Sequence, residues 1–93
     1  MPKQDPQPGL ALAVRELRTA RGFSQEELAN RSSVHLTWIG HIESGRINPS
    51  WATTKRVARG LGVPHGTLAE LGEAKDRELA GGPAGEDPGA AAG

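Results

Sequence analysis

The fold is decided by residues 25 to 44, which read QEELANRSSVHLTWIGHIES. The first part of this stretch predicts a short helix whose inward side chains are Leu28 and Ala29. The polar run NRSS, residues 30 to 33, ends that helix after about two turns, because these residue types favour turns over helix interiors. A short helix followed at once by a turn is therefore the first structure that the chain predicts.

The second part of the stretch, HLTWIGHIE at residues 35 to 43, predicts another helix. Its inward positions recur at helical spacing, and they are Val34, Trp38, Ile39 and Ile42. The other side chains fall largely on different faces. Two helices joined by a turn of about four residues form the geometry that places a second helix in the major groove of DNA. Residues 25 to 44 therefore favour DNA recognition by the segment 35 to 43.

The sequence before residue 24 also predicts a helix. One helical face carries apolar residues at positions i, i+3, i+4 and i+7, namely Leu10, Ala13, Val14 and Leu17. These predict a helix from about residue 9 or 10 to residue 20, and Gly22 supplies its C-cap. The sequence SQEE, residues 24 to 27, reads as a capping box in which Ser24 bonds the backbone of the first turn and Glu27 reaches back. The second helix therefore begins here.

A fourth helix is predicted on the C-terminal side of the stretch. Residues 44 and 45, Ser-Gly, close the preceding helix, and Ser50 stands where an N-cap would begin the next. The inward side chains of this fourth helix are Trp51, Val57, Ala58 and Leu61. Gly62 ends it. Trp51 is accordingly expected in the core.

A fifth helix is predicted from about residue 64 to residue 71, because Pro64 suits a first helical turn and Leu68 and Leu71 face inward. Residues 75 to 79 either prolong this helix or fray. From Ala80 onward, twelve of fourteen residues are Ala, Gly or Pro, and such a segment has no apolar face to bury. We therefore expect a compact, all-α, five-helix domain at residues 9–74, a flexible arm at 1–8 and a disordered tail at 75–93.

Composition limits the classes of protein that this chain can represent. With 93 residues and 35% apolar content, it forms one small domain without room for a deep enzyme cleft. It has no cysteine, no run of 18 apolar residues and no signal-peptide pattern, so we expect a cytoplasmic protein that does not enter a membrane. The sequence has no catalytic motif, which indicates a protein that is not an enzyme and needs no cofactor.

The charged residues and histidines bear on possible partners. The formal net charge is zero, but residues 1 to 72 carry nine Lys/Arg against six Asp/Glu, whereas residues 73 to 93 carry two against five. The predicted domain is mildly basic, which permits nucleic-acid binding without requiring it. His35, His41 and His65 do not have the spacing of metal ligands, so no metal site is expected.

The spacing within residues 25 to 44 resembles that of the Cro and phage-repressor type of helix-turn-helix family. Counted from Gln25, leucine is fourth, alanine fifth, valine tenth, and isoleucine fifteenth and eighteenth. The blocks ELRTARGFSQEELANRS, SVHLTWIGHIESGRINPS and TKRVARGLGV match the family over roughly residues 10 to 71. Within that family, the compact form looks most like small stand-alone regulators, such as the controller proteins of restriction-modification systems.

The chain departs from the usual pattern of this family at four positions. Ser33 stands where the turn needs φ > 0 and the family usually has glycine, at a cost of about 1 kcal/mol. His35 replaces the usual serine or threonine cap of the recognition helix. Thr54 takes a commonly apolar core place, and Gly40 lowers helix propensity by about 1 kcal/mol relative to alanine. Tertiary packing must therefore hold the recognition helix together.

The resemblance implies roles for individual side chains, although a plain solvent-exposed position is the alternative for each DNA contact. It assigns base contacts to Leu36, Thr37 and His41. It assigns DNA backbone contacts to Gln25, His35, Trp38, Ser44 and Arg46. The ring of Trp38 would pack against helix 2 or 4, and a position wholly in the core is its alternative. The family also places an arginine and a glutamate, here Arg18 and Glu43, in a partly buried ion pair between helices 1 and 3.

The resemblance implies a sequence-specific DNA-binding transcriptional regulator in the nucleoid, which binds a pseudo-palindromic operator as a homodimer and occludes or contacts RNA polymerase. Double-stranded DNA and a second copy are the expected partners. We expect the dimer interface around Val63, Leu68 and Leu71, because the two leucines exceed what so short a helix needs for the core. The alternative is a protein-interaction module, such as an antitoxin or the DNA-addressing subunit of a larger assembly.

Overall fold

The computed structural model describes residues 8–81, which form five helices: α1 (Pro8–Ala20), α2 (Gln25–Ser32), α3 (Leu36–Ser44), α4 (Trp51–Leu61) and α5 (His65–Gly81). The predicted serine caps set two of the starts. Ser24 Oγ accepts from the backbone N–H of Glu27 at 2.9 Å, and Ser50 Oγ accepts from that of Thr53 at 3.1 Å. The other half of the expected capping box differs, because the Glu27 carboxylate accepts from Arg31. The all-α, five-helix fold is confirmed.

The core lies where the five helices meet, and every helix contributes at least one buried apolar side chain to it. Its buried members are Ala13, Val14, Leu28, Ala29, Ile39, Ile42, Val57, Ala58, Leu61 and Leu68. Leu68 is 0% exposed, so the expectation that it forms a dimer interface is wrong. Leu68, in the first turns of α5, fills part of the core instead. Val63 and Leu71 are partly buried against the same cluster.

Trp51 does not enter the core, contrary to expectation. It is 70% exposed, although helical spacing puts it on the same face as the buried Ala58 and Leu61. The reason is its place at the first residue of α4, since the buried part of that helix begins only at Val57 and the first turn extends past the core. The indole packs edge-on against His65 instead, with ring centroids 4.3 Å apart.

Helix α5 is longer than predicted, so residues 75–81 belong to a helix and not to the expected tail. Polar contacts hold this extension against α1. The Asp76 carboxylate accepts from the backbone N–H of Gly9 at 2.9 Å, and the Lys75 ammonium lies 2.7 Å from the Glu16 carboxylate. This hydrogen bond with Glu16 raises the pKa of Lys75 above its ordinary value. The remaining parts of the predicted arm and tail, residues 1–7 and 82–93, lie outside the described residues.

Two further expectations concern the same described range. Between residues 8 and 81, no helix is long and apolar enough to cross a membrane. In that range, no three His, Asp or Glu side chains are grouped so that they could hold a metal ion.

Thr54, at a commonly apolar place, is half-buried, and its hydroxyl donates to the backbone carbonyl of Ser50 at 2.9 Å.

Substitution of Gly60 by alanine tests how closely α2 and α4 approach. A Cβ at residue 60 would meet the Ser32 hydroxyl oxygen and would lie 3.0 and 3.1 Å from the backbone N and Cα of Ser32. We expect Gly60→Ala to lower the free energy of unfolding by about 1 to 3 kcal/mol, as overpacking does. The measurement is urea denaturation followed by circular dichroism.

Gly40→Ala is the matched control, because nothing lies within 4 Å of the added Cβ. There the gain in helix propensity acts alone and should raise the free energy of unfolding by about 1 kcal/mol. An equal stabilisation by both substitutions would contradict the close approach of α2 and α4.

Candidate nucleic-acid interface

The turn between α2 and α3 has the backbone geometry that the helix-turn-helix arrangement needs. Ser33 adopts φ 56° and ψ 40°, the left-handed conformation expected at this place. The backbone N–H of Val34 donates to the carbonyl of Ala29 at 3.1 Å, which closes α2. Ser33 therefore adopts a left-handed conformation that glycine adopts more easily, at a cost of about 1 kcal/mol.

His35 caps the N-terminus of α3. Its Nδ1 atom accepts from the backbone N–H of Thr37 at 3.0 Å. In a neutral imidazole, one nitrogen accepts and the other carries the proton, so the Nε2 atom of His35 is then a donor. The residue is exposed, and this donor is available to an acceptor outside the protein.

A buried ion pair braces the other end of α3. Arg18 donates from Nε to Glu43 Oε2 at 2.6 Å and from Nη2 to Glu43 Oε1 at 3.1 Å. Only 13% of the Arg18 side chain and 5% of the Glu43 side chain are exposed. Arg18 also donates to the carbonyl of Phe23 at 2.8 Å, and Gln25 Nε2 donates to Glu43 Oε1 at 3.0 Å. The pair therefore joins the end of α1, the start of α2 and the end of α3.

Helix α3 has one buried face and one open face. Ile39 and Ile42 are at most 2% exposed, while Thr37 is exposed and Leu36 is 43% exposed. His41 is half-buried, one turn after Thr37 on the helix. The three residues for which base contacts were expected thus share the part of α3 that is free of the core.

Trp38 is neither buried in the core nor fully exposed. It is 51% exposed, and its ring meets that of His41 edge-on with centroids 5.9 Å apart. Its other side borders a depression towards the start of α4. The prediction that Trp38 faces inward beside Ile39 is wrong. The indole borders an open depression beside α4, and the core packs without it.

Two depressions flank α3, one on each side. The first, of about 240 Å³, is lined by Arg15, Arg18, Gln25, Gly40, Glu43 and Ser44. The second, of about 500 Å³, is lined by Ser33, Val34, His35, Trp38, Ile47, Asn48, Pro49, Ser50, Thr53 and Arg56. Helix α3 is thus a ridge between two concave surfaces that both contain cationic side chains.

Four of the five side chains for which backbone contacts were expected line these depressions. Gln25 and Ser44 line the first, whereas His35 and Trp38 line the second. Arg46 is exposed directly after the Gly45 that ends α3. The Ser44 hydroxyl donates to the carbonyl of His41 at 2.9 Å, so it must rotate before it can donate to a phosphate.

Two arginines in these depressions were missed by sequence reasoning. Arg15 lines the smaller depression and Arg56 lines the larger one. The sequence does place Arg56 on the same face of α4 as Thr53, because the two are three residues apart. No pattern in the sequence indicated that this face would turn towards α3.

Comparison with known proteins identifies the family. A family model described as a helix-turn-helix domain matches residues 10–71. The chain belongs to this helix-turn-helix family. The matched range coincides with the resemblance found in the sequence, and the family comprises DNA-binding regulators and not enzymes.

Relatives of the helix-turn-helix domain occur in bacteria and archaea. The chain is 44% identical over 52 residues to an uncharacterized HTH-type transcriptional regulator of Methanothermobacter thermautotrophicus, covering 56% of this chain and 75% of that protein. It is 36% identical over 64 residues to one of Mycobacterium tuberculosis, covering 69% and 25%. It is 36% identical over 59 residues to the regulator SutR of Escherichia coli, covering 63% and 33%. The chain spans about a quarter of the length of the mycobacterial relative.

Solved structures share the fold of the helix-turn-helix domain. The restriction-modification controller protein C.AhdI from Aeromonas hydrophila superposes with a TM-score of 0.65 at 34% identity, covering 67% of this chain and 94% of that chain. The clp gene regulator ClgR from Corynebacterium glutamicum superposes with a TM-score of 0.71 at 24% identity, covering 80% of each chain. The latter likeness concerns the fold alone.

Removal of the Glu43 carboxylate tests the brace on α3. In Glu43→Ala, the Arg18 guanidinium stays buried without its partner, which costs about 3 to 5 kcal/mol. We expect the free energy of unfolding, measured by urea denaturation, to fall by this amount or the domain to unfold.

Glu27→Ala is the control, because it breaks a pair with Arg31 in which both side chains are about half exposed. Such surface pairs contribute about 0.5 kcal/mol or less. Similar losses in the two variants would contradict a special role for the Arg18–Glu43 pair.

Proposed function

We propose that this protein is a sequence-specific DNA-binding transcriptional regulator, which binds a pseudo-palindromic operator as a homodimer with α3 in the major groove. The observation that carries the proposal is the open face of α3, held rigidly by the buried Ile39 and Ile42 and by the Arg18–Glu43 pair. A recognition helix needs both properties, since base contacts discriminate only when the side chains are held in register.

The side chains on the open face of α3 have chemistry that suits base edges. Thr37 offers a hydroxyl for a hydrogen bond and a methyl group for contact with thymine. Leu36 makes apolar contact only, as with a thymine methyl group. His41 donates to guanine N7 or O6 or to a phosphate. These three residues are the proposed base contacts.

The flanks of α3 supply the proposed contacts to the DNA backbone. A major groove is bordered by phosphates on both sides, and α3 has a cationic depression on each side. Gln25 at the first turn of α2 and the Nε2 donor of His35 suit phosphate oxygens. The remaining proposed backbone contacts are Trp38, Ser44 and Arg46. We add Arg15 and Arg56 to them, because these two arginines line the depressions beside α3.

Regulation then follows from occupation of the operator, which occludes RNA polymerase or presents a surface to it. The likeness to the controller protein C.AhdI, which spans nearly the whole of that chain, supports a regulator of this compact form. The proposed place of action is the cytoplasm, on the nucleoid.

A protein-interaction module is the second candidate function, and one observation favours it. Leu36 and Trp38 expose apolar surface on α3 itself, at 43% and 51%. An antitoxin or an addressing subunit would cover such side chains with a partner protein. Against this, Arg56 lines the same depression as Trp38 and places positive charge beside this apolar surface. Measurement of base preference separates the two functions.

Thr37→Ala and His41→Ala should change which DNA sequence is bound. Each should cost about 1 to 3 kcal/mol on the best site, selected from a random pool, and should flatten preference at one or two base pairs. Binding to matched and mismatched duplexes is compared by fluorescence anisotropy. Thr67→Ala, an exposed threonine on α5, is the control and should leave both affinity and preference unchanged. An unaltered preference in both α3 variants would favour the interaction module.

Arg46→Ala should weaken binding to all sequences alike. A phosphate contact releases a counterion without reading a base, so the slope of log K against log salt should become shallower by about one unit. The same anisotropy titrations at four salt concentrations give the slope. Arg77→Ala, an exposed arginine on α5, should leave the slope as it is. A loss confined to the best site would show that Arg46 reads bases instead.

A further inference from the structure

Leu36 is an apolar side chain among polar neighbours on the open face of α3. It is the first residue of the helix and is 43% exposed, whereas the buried side chains of the helix are Ile39 and Ile42. The hydrogen bond from the Thr37 N–H to His35 Nδ1 holds the backbone on both sides of it. The Leu36 side chain is therefore fixed in place without being covered by the protein.

Gly40 leaves the side chain of Leu36 open on the following turn of the helix. A side chain of an α-helix leans towards the N-terminus and covers the turn before its own Cα. A longer side chain at residue 40 would therefore extend towards Leu36, four residues earlier. Within the described part of the protein, nothing lies within 4 Å of a Cβ added at Gly40. The glycine, which weakens the helix, thus keeps a space beside Leu36 that an outside group can enter.

The side chains proposed to reach the bases include no carboxylate. In the major groove, cytosine presents an amino group that Glu or Asp accepts from, whereas thymine presents a carbonyl oxygen and the C5 methyl group. The three proposed base contacts are Leu36, Thr37 and His41, and none of them is acidic. Leu36 has neither a donor nor an acceptor, so a methyl group is the one feature of a base edge that it can recognise.

We propose that Leu36 reads the C5 methyl group of a pyrimidine, so that methylation of cytosine at the base pair it contacts strengthens binding. The inference rests on the proposed function, because it requires α3 in the major groove. Thymine and 5-methylcytosine carry their methyl groups at the same ring position, on the major-groove edge. They differ in the polar group at C4, which an aliphatic side chain does not bind. Leu36 therefore responds to the methylation state of the DNA as well as to its sequence.

The size of the effect follows from the apolar area of one methyl group. Moving a methyl group from water into contact with an apolar side chain raises affinity by about fourfold. A two-fold operator presents the base pair twice, so the combined effect of both methyl groups is about 15-fold. The effect should not depend on salt, because a methyl contact releases no counterion. These two properties separate methyl recognition from a phosphate contact.

Replacement of thymine by deoxyuridine tests the proposal, because the two bases differ only in the C5 methyl group. In the best site selected from a random pool, each symmetric pair of thymines is replaced in turn, and binding is measured by fluorescence anisotropy. At one position, the wild-type protein should bind the deoxyuridine duplex about 15-fold more weakly, by the same factor at every salt concentration. Equal binding of thymine and deoxyuridine duplexes at every position would overturn the proposal.

Methylated DNA tests the consequence at the position found in this way. A duplex with cytosine there should gain about 15-fold in affinity when both cytosines carry a C5 methyl group. Methylation of cytosines outside the selected site is the control and should leave the affinity unchanged. Equal binding of the methylated and unmethylated duplexes would contradict the proposal.

Substitutions of Leu36 identify the side chain that is responsible. Leu36→Ala removes the apolar contact, so the ratio of affinities for thymine and deoxyuridine duplexes should approach one. Leu36→Met keeps an apolar side chain of similar volume and should retain most of the ratio. Thr37→Ser is the matched control, because it removes the neighbouring methyl group of the protein and keeps the hydroxyl. A loss of the ratio in Thr37→Ser, with the ratio intact in Leu36→Ala, would overturn the assignment to Leu36.

The two proposals fail in different ways. If base preference depends on Thr37 and His41 while no thymine methyl group affects binding, the proposed function stands and this inference does not. If the wild-type protein shows no base preference, both are overturned. Partial unfolding of a variant does not alter the outcome, because the ratio of two affinities of the same protein is independent of the fraction that is folded. Circular dichroism reports the helix content of each variant.

Discussion

The position of α3 depends on the buried pair of Arg18 and Glu43. Glu43 receives three hydrogen bonds, two from Arg18 and one from Gln25, so both carboxylate oxygens are satisfied although only 5% of the side chain is exposed. This saturation offsets the cost of taking the charges out of water, which a single contact would not. Because Arg18 also holds the carbonyl of Phe23, the one pair fixes the relative positions of α1, α2 and α3.

That constraint explains how α3 can be so poor a helix by itself. It has nine residues, a central glycine at Gly40 and a histidine as its cap, and an isolated helix of this length is not stable in water. Only Ile39 and Ile42 anchor it in the core. Glu43 holds the C-terminal end of α3, and His35 caps its N-terminal end. The exposed positions between them therefore do not have to pack against the core. They are therefore free to carry side chains chosen for a ligand.

Sequence reasoning succeeded where the cause is local and failed where it is tertiary. The caps at Ser24 and Ser50 follow from neighbouring residues, and the left-handed turn at Ser33 follows from the family resemblance; all three are present. Trp51 lies outside the core, because periodicity identifies an apolar face but does not say how far along a helix the core extends. Leu68 is buried, as its helical face predicts, and so is not available to a dimer interface. The extension of α5 was open for a similar reason: polar groups of α1 hold it, and these leave no hydrophobic repeat in the sequence.

The distribution of charge shows why zero net charge is compatible with an anionic partner. The carboxylates of Glu43, Glu27 and Glu16 are each paired with a cation. The field beside α3 is therefore set by exposed or groove-lining arginines such as Arg46 and Arg56, whose charge these acids do not cancel. Glu73 of α5, which has no ion-pair partner among the described residues, lines the depression below Trp51, across the α3–α4 loop from α3. Charge segregation of this kind attracts a polyanion to one face, because screening over about 8 to 10 Å limits the influence of the other.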